Sequence, residues 1–208
     1  MPLRLFPAAE SDAPRAAELE HAAYSPSPFN KVLFPGPFPP EALGHRAAGL
    51  AEELKNDPTV VWLKVVDTDI EGDDKMIAFA KWHIYESPSE PSKPRTFGPG
   101  CNVEACEELF GGLARMKQQW VGSRSHLYLH LLHTDPKHQR RGAGALLTQW
   151  GLDEAARRGL PAYLHSSMEG HALYLKLGFK DLEEHVVDLT RFGAPDLHRT
   201  FAMIREAQ

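Results

Sequence analysis

The stretch from Tyr128 to Gly144, YLHLLHTDPKHQRRGAG, decides how this chain is read. Tyr128, Leu129, His130, Leu131 and Leu132 make an apolar, strand-like run. His133, Thr134, Asp135 and Pro136 break it, and Gln139, Arg140, Arg141, Gly142, Ala143 and Gly144 open a helix. A strand that stops at a glycine-rich turn feeding a helix aims several unpaired backbone N–H groups, with the positive end of the helix dipole, at one point in space. The glycines leave no side chain to hold a diphosphate off the backbone, and Arg140 and Arg141 add fixed positive charge. Such a turn also serves ordinary strand-to-helix connections, so its surroundings must decide. A P-loop is excluded because no Lys followed by Ser or Thr ends the turn, and the dinucleotide fingerprint asks for three glycines where this turn has two.

The surroundings form a pattern. Q-x-x-G-x-G from Gln139 to Gly144 is preceded by the apolar strand and Thr134-x-Pro136, and followed by Leu173, Tyr174, Leu175, Lys176, Leu177, Gly178 and Phe179. In this order the two motifs resemble the GCN5-related N-acetyltransferase (GNAT) superfamily. The resemblance is carried by residues 125–182; upstream it rests on the order of elements. It implies an α/β (α+β) fold, with a mixed, mostly antiparallel central sheet splayed beside its central strand and helices on both faces. It also implies acetyl-CoA as co-substrate. Backbone groups of Leu132 and Thr134, flanking His133, would pair with the pantetheine arm as though it were another strand. The N–H groups of Arg140, Arg141, Gly142, Ala143, Gly144 and Ala145 would take the diphosphate, with Gln139 at the loop entrance. Relatives often place Asn seven residues before the tyrosine; Ser167 stands there in this chain and offers a shorter reach.

Length and composition agree. A chain of 208 residues suits one domain, 1–208, able to bury roughly 70% of its unfolded surface. With 42% hydrophobic and 25% charged residues the composition is that of a soluble globular protein, and no apolar run approaches the length of a membrane span. Met1 to Glu10 lacks the basic start and apolar core of a signal segment, so the expected location is cytoplasmic, with the nucleus also open. Cys101 and Cys106 are too few for a disulfide framework or a zinc site and are read as reduced thiols. A formal charge of −5 argues against nucleic acid as a partner. Oligomeric state is left as monomer or homodimer.

Along the chain, Leu3 and Leu5 mark a first strand, and Asp12 an N-cap before a helix carrying Ala16, Leu19 and Ala23. From Tyr24 to Pro40 the chain is rich in proline and aromatics and reads as an ordered loop. Because the segment between the first two helices commonly lines the acceptor pocket in GNAT proteins, Phe29 and Phe34 are candidate substrate contacts; equally, their rings could pin the loop to the core. A second helix spans Glu41 to Asn56. Val60–Val66 and Met76–Tyr85 form a hairpin across an acidic turn with Gly72, Asp73 and Asp74. Residues 86–100 read as a proline-rich insertion, Asn102 as the cap of a third helix, Gly142–Arg158 as a fourth, Ala162–His165 as a strand, Gly170–Leu177 as a short helix, and Phe179–Leu189 as the last strand pair.

Acyl transfer from a thioester to an amine needs a free amine lone pair, oxyanion stabilisation and a proton for the departing thiolate. Only about one alkyl amine in a thousand is neutral at pH 7, so a positioned base matters more than a nucleophile. Tyr174 matches the superfamily tyrosine that protonates the thiolate. His130 is the preferred base. Tyr128 and His130 fall at the positions of two strand histidines in the arylalkylamine N-acetyltransferases, and alternation puts both on one face, with a bulge able to disturb the register nearer His133. A histidine satisfied within the core is the competing reading. No metal is expected: His126, His130, His133, His138, His165 and His171 contain no HExxH pair, and strand parity separates His130 from His133. The acceptor expected is a small-molecule amine, aromatic on the strength of Phe29, Phe34, Trp82 and Tyr128. A peptide or protein acceptor, or a CoA-binding protein without turnover, are the alternatives.

Overall fold

The computed structural model describes residues 2–72, 75–87 and 95–207. Asp73 and Asp74 of the acidic turn and residues 88–94 of the proline-rich insertion lie outside the described residues. The strands are β1 (Leu3–Pro7), β2 (Val60–Asp67), β3 (Met76–Tyr85), β4 (His126–Thr134), β5 (Ala162–Ser167), β6 (Lys180–Val187) and β7 (His198–Arg205). They join in one seven-stranded sheet in the order β1-β2-β3-β4-β5-β7-β6. Every neighbouring pair is antiparallel except β4 with β5. The helices are α1 (Ala13–Tyr24), α2 (Pro28–Leu33), α3 (Ala42–Asn56), α4 (Val103–Trp120), α5 (Ala143–Arg158) and α6 (Met168–Lys176). None of the described helices is long and apolar enough to cross a membrane.

The two faces of the sheet bury different halves of β3. Phe79 points toward α1 and α3, where it meets the edge of Trp62 at 5.2 Å amid Leu19 and Leu50. Ala78, Ala80 and Trp82 point the other way, beneath α5, and pack with Leu63, Val65 and Leu147. Period-two alternation therefore sends Lys81 and His83 to the α1/α3 face. The same alternation corrects one expectation. Trp82 is fully buried under α5, its Nε1 donating to the Leu147 carbonyl at 3.3 Å, and it is a core residue rather than a substrate contact.

Local chemistry sets the ends of the elements. Asn102 caps α4 by accepting from the Ala105 N–H at 3.3 Å. Asp12 lies at the N-cap position of α1 but does not cap it; its carboxylate accepts from the Ala9 N–H at 2.8 Å and from Lys64 Nζ at 2.7 Å. The segment read as an ordered loop contains α2, which opens with Pro28 at a position that needs no N–H. The region expected to hold the last strand pair holds β6 alone. Its partner is β7, inserted between β5 and β6 after a turn closed by Gly193 at φ 96°.

Candidate active site

β4 and β5 run side by side only from Leu127 to Leu129 and from Ala162 to Leu164. Past that point both strands continue unpaired with each other, and the sheet splays. Asp135 N–H donates to the Ile77 carbonyl at 2.8 Å on the β3 side. Alternation then turns the backbone groups of Leu132 and Thr134 to the open side, where an extended ligand can pair with them. His133 lies between them, paired with Phe79 of β3. Gln139 Nε2 reaches the Thr134 carbonyl at 3.4 Å, closing the strand end onto the turn.

The turn itself bends through two left-handed residues, Arg140 at φ 62° and Gly142 at φ 97°. No side chain caps α5, so the N–H groups of Ala143, Gly144 and Ala145 remain as donors. A Cβ on Gly142 would meet nothing within 4 Å, which leaves the mouth of the cradle open, whereas one on Gly144 would come within 3.2 Å of Leu173. These features fit a diphosphate. The two arginines separate, however: Arg141 pairs with Asp67 at 2.7 Å and contacts His138 at 2.9 Å, so its guanidinium belongs to the scaffold, while Arg140 is exposed.

On the α1/α3 face, β4 carries a bulge. Leu129 faces Trp82 and Leu131 faces Lys81, which leaves His130 as the extra residue. A bulge re-aims the residue it releases. The rings of Tyr128 and His130 stack at 5.3 Å, so the two share a face. The inserted residue also reverses the expected parity of His133. It pairs with Phe79 and packs edge-on to Tyr24 at 5.1 Å, on the same face as His130.

His130 joins a polar cluster that sequence spacing did not bring together. His83 Nε2 lies 3.2 Å from His130 Nδ1, and Thr59 Oγ1 lies 3.0 Å from His83 Nδ1. Lys81, almost fully buried, places Nζ 2.7 and 2.6 Å from the two Glu53 oxygens. The signal was present in β3, where Lys81 and His83 interrupt an otherwise apolar central strand; a buried charge in such a strand marks a partnered or functional site. Glu53, His83 and His130 bring possible metal-ligand atoms within 4.8 Å of one another. Both Glu53 oxygens are engaged by Lys81, and His83 Nε2 and His130 Nδ1 by each other.

Burial dominates the electrostatics. It pulls His83 down to about 4, aided by the Lys81 charge, and pulls His130 well below its ordinary value. His130 is itself exposed, and the His83 and Tyr128 rings pack against one side of it. Tyr128 is raised by burial, and Tyr85 is pushed up to about 12 by burial and the Asp57 charge. Lys117 of α4 lies over both rings, at 4.8 Å from Tyr85 and 4.9 Å from Tyr128. At neutral pH His83 and His130 are therefore neutral imidazoles and Tyr85 and Tyr128 neutral phenols.

Tyr174 of α6 is buried and meets Phe179 edge-on at 5.9 Å. Burial raises its hydroxyl, keeping it protonated at neutral pH. Ser167 caps α6, accepting from the Gly170 N–H at 3.4 Å. Phe29 packs on His198 at 4.8 Å and Phe34 against Phe110 at 6.2 Å, within the cluster of Leu33, Cys106 and Leu109. Both rings pin α2 and its flank to the core.

Comparison with known proteins agrees with this geometry. The model of the acetyltransferase (GNAT) family matches residues 34–179. This chain belongs to that family. A curated relative, "Probable acyltransferase SID5" of Ajellomyces capsulatus, is 43% identical over 49 residues, 24% of this chain and 36% of the relative. The match therefore spans about a third of that protein's length. Among solved structures, a mosquito arylalkylamine N-acetyltransferase like 5b superposes with a TM-score of 0.66 at 16% identity, covering 98% of this chain and 99% of that one. The histone acetyltransferase HPA2 and related acetyltransferase from Corynebacterium glutamicum gives 0.63 at 18% identity over 100% and 98%. The protein yncA of Salmonella typhimurium, with its cofactor acetyl-CoA, gives 0.61 at 14% over 100% and 95%. Identities this low establish the shared fold.

Proposed function

We propose that the chain transfers an acetyl group from acetyl-CoA directly to the primary amine of a small acceptor, with His130 as general base and Tyr174 as general acid and without a metal. The observation that carries this reading is the splay of β4 from β5. It exposes an unpaired strand edge that ends on the uncapped start of α5, with a bulged histidine beside it. Leu132 and Thr134 would hold the pantetheine arm, and Arg140 with the first turn of α5 the diphosphate. The thioester supplies the acyl group. His130, neutral at pH 7, takes the proton from the acceptor nitrogen, and Tyr174 gives one to the departing sulfur. With Trp82 in the core and Phe29 and Phe34 committed to packing, the aromatic wall for the acceptor falls to Tyr24, Tyr85 and Tyr128.

Steady-state kinetics with a panel of small amines, beside calorimetry with acetyl-CoA, tests the reading. Tyr174→Phe is expected to lower kcat at least about tenfold with acetyl-CoA affinity within twofold, the signature of an interaction made in the transition state. Gly142→Val, which forces a β-branched residue to φ 97°, should abolish acetyl-CoA binding. Wild-type turnover in Tyr174→Phe would remove the acid; unchanged cofactor binding in Gly142→Val would remove the cradle.

A further inference from the structure

A chain of hydrogen bonds stands behind His130. Asp57 and Thr59 lie between α3 and β2, His83 on β3 and His130 on the bulge of β4. Thr59 Oγ1 donates to Asp57 Oδ1 at 2.7 Å, and the Thr59 N–H donates to the same oxygen at 2.9 Å. Thr59 Oγ1 is 3.0 Å from His83 Nδ1, and His83 Nε2 is 3.2 Å from His130 Nδ1.

Counting protons along this chain, with the neutral Tyr85 hydroxyl that also bonds Thr59 acting as a donor to it, leaves one solution. An ionised carboxylate only accepts, and a hydroxyl has a single proton. Burial works against the charge on Asp57, but the two Thr59 hydrogen bonds and His83 hold its carboxyl below the ordinary value, so it is ionised at neutral pH. The Thr59 proton therefore goes to Asp57, and Thr59 Oγ1 must accept from His83 Nδ1–H. A neutral His83 protonated at Nδ1 has a bare Nε2, which must accept from His130 Nδ1–H. A neutral His130 protonated at Nδ1 keeps Nε2 as a free lone pair.

Among the described residues the surrounding charges do not supply another partner. Glu53 of α3 comes within 3.8 Å of His83 Nε2 but is held by Lys81 Nζ. Asp57 Oδ2, at 3.7 Å, lies on the Nδ1 side of His83, where the assignment places the proton. Lys81 on β3, Arg46 on α3 and Arg95 ahead of α4 all bring positive charge toward His130, and Lys117 of α4 brings it toward His83. Each favours the neutral imidazoles on which the count depends.

We propose that Asp57, Thr59 and His83 are positioning residues that fix His130 in the tautomer whose Nε2 is bare, oriented to accept a proton from the acceptor amine. The proposal rests on the reading of His130 as base. In the proton-transfer step the amine N–H bond breaks and the His130 Nε2–H bond forms. The His130 Nδ1–H stays on its nitrogen, and its bond to His83, backed by Thr59 and the Asp57 carboxylate, stabilises the imidazolium. Asp57 is not protonated in this step, in keeping with the orienting role of a carboxylate behind a catalytic histidine.

Long-range proton–nitrogen correlation spectra of the protein labelled with nitrogen-15 histidine, at pH 7.5, read the tautomers directly. His83→Gln and His130→Gln assign the resonances. Both histidines are expected to carry the proton on Nδ1 with Nε2 bare. Thr59→Val, which keeps the shape but removes the hydroxyl, should give His83 a mixture of tautomers and lower kcat about tenfold, with KM for acetyl-CoA within twofold. Thr59→Ser should restore both the spectrum and the rate. A proton on Nε2 of either histidine in the wild type overturns the proposal, as does a Thr59→Val variant with unchanged tautomers and kcat. The two failures can be told apart. Full turnover in His130→Gln overturns the base reading and the proposal with it, whereas an Nε2 proton in a protein whose His130→Gln variant is inactive overturns the proposal alone.

Discussion

Arg140 and Arg141 are neighbours with identical side chains, and the fold assigns them different tasks. Arg141 is clasped by Asp67, a nearly buried carboxylate at the end of β2, and leans on His138. Arg140 sits exposed in a left-handed conformation at the mouth of the cradle. A phosphate-binding arginine has to be free to form a charge-assisted hydrogen bond, an interaction of about 1.5–3 kcal/mol when made. Arg140→Gln is therefore expected to weaken acetyl-CoA binding at least about tenfold and to lessen its salt dependence. Arg141→Gln should instead lower the melting temperature with a smaller effect on affinity, because it strands Asp67. Calorimetry at two ionic strengths and a thermal melt separate the cases; equal losses of affinity would return Arg141 to the cradle. From the sequence both arginines are equivalent, since Asp67 lies on a strand far away in the chain. His83 escaped for the same reason, its partners His130, Thr59 and Glu53 coming from three other segments.

At the scale of elements, most of the architecture was written in local pattern. The apolar runs of β2, β3 and β4, the Asn102 cap of α4 and the glycine stop of α5 at Gly159 all lie where period and punctuation put them. What escaped depends on distant partners: α2 is a single short helix held by its packing on α4, and β7 gains its identity only by inserting between β5 and β6. The bulge in β4 was allowed for nearer His133, but its place at His130 is a property of the β3–β4 pair. The contact of α5 with the sheet offers the sharpest test of the packing. A Cβ on Gly151 would lie 2.1 Å from the Trp82 ring, which is locked in place by its bond to the Leu147 carbonyl. Gly151→Ala must push α5 away or rotate the indole, an overpacking penalty of about 1–3 kcal/mol. It should lower stability by about that amount in urea titration, although alanine is the better helix former by about 1 kcal/mol. A neutral or stabilised variant would mean that α5 rides higher on the sheet than described.

Over the whole molecule, the buried imidazoles give the fold an acid limit. His126 and His133 are both buried, both pulled down to about 4 chiefly by burial, and each has an Nε2 without a hydrogen-bond partner among the described residues. His126 Nδ1 contacts the Arg124 carbonyl at 2.7 Å and carries its proton toward that oxygen, so a second proton would create a buried charge and an orphaned donor together. In the unfolded chain the same groups titrate near 6.5. Between the folded value of about 4 and that unfolded value the unfolded state binds more protons. Stability therefore rises with pH through this window, is complete above it, and is lost as pH falls. Each histidine contributes up to about 3 kcal/mol to the difference between pH 7 and pH 4. Urea unfolding at pH 7.5, 6.0 and 4.5 should show a steep fall across the lower interval. His133→Gln, which cannot titrate, should have a shallower slope whatever its stability at pH 7.5. An equal slope in the variant would mean that His133 is solvated well enough to ionise in the folded protein. Water would then reach His133 freely, and the neutral imidazoles on which the proposed proton abstraction by His130 rests would lose their main physical support.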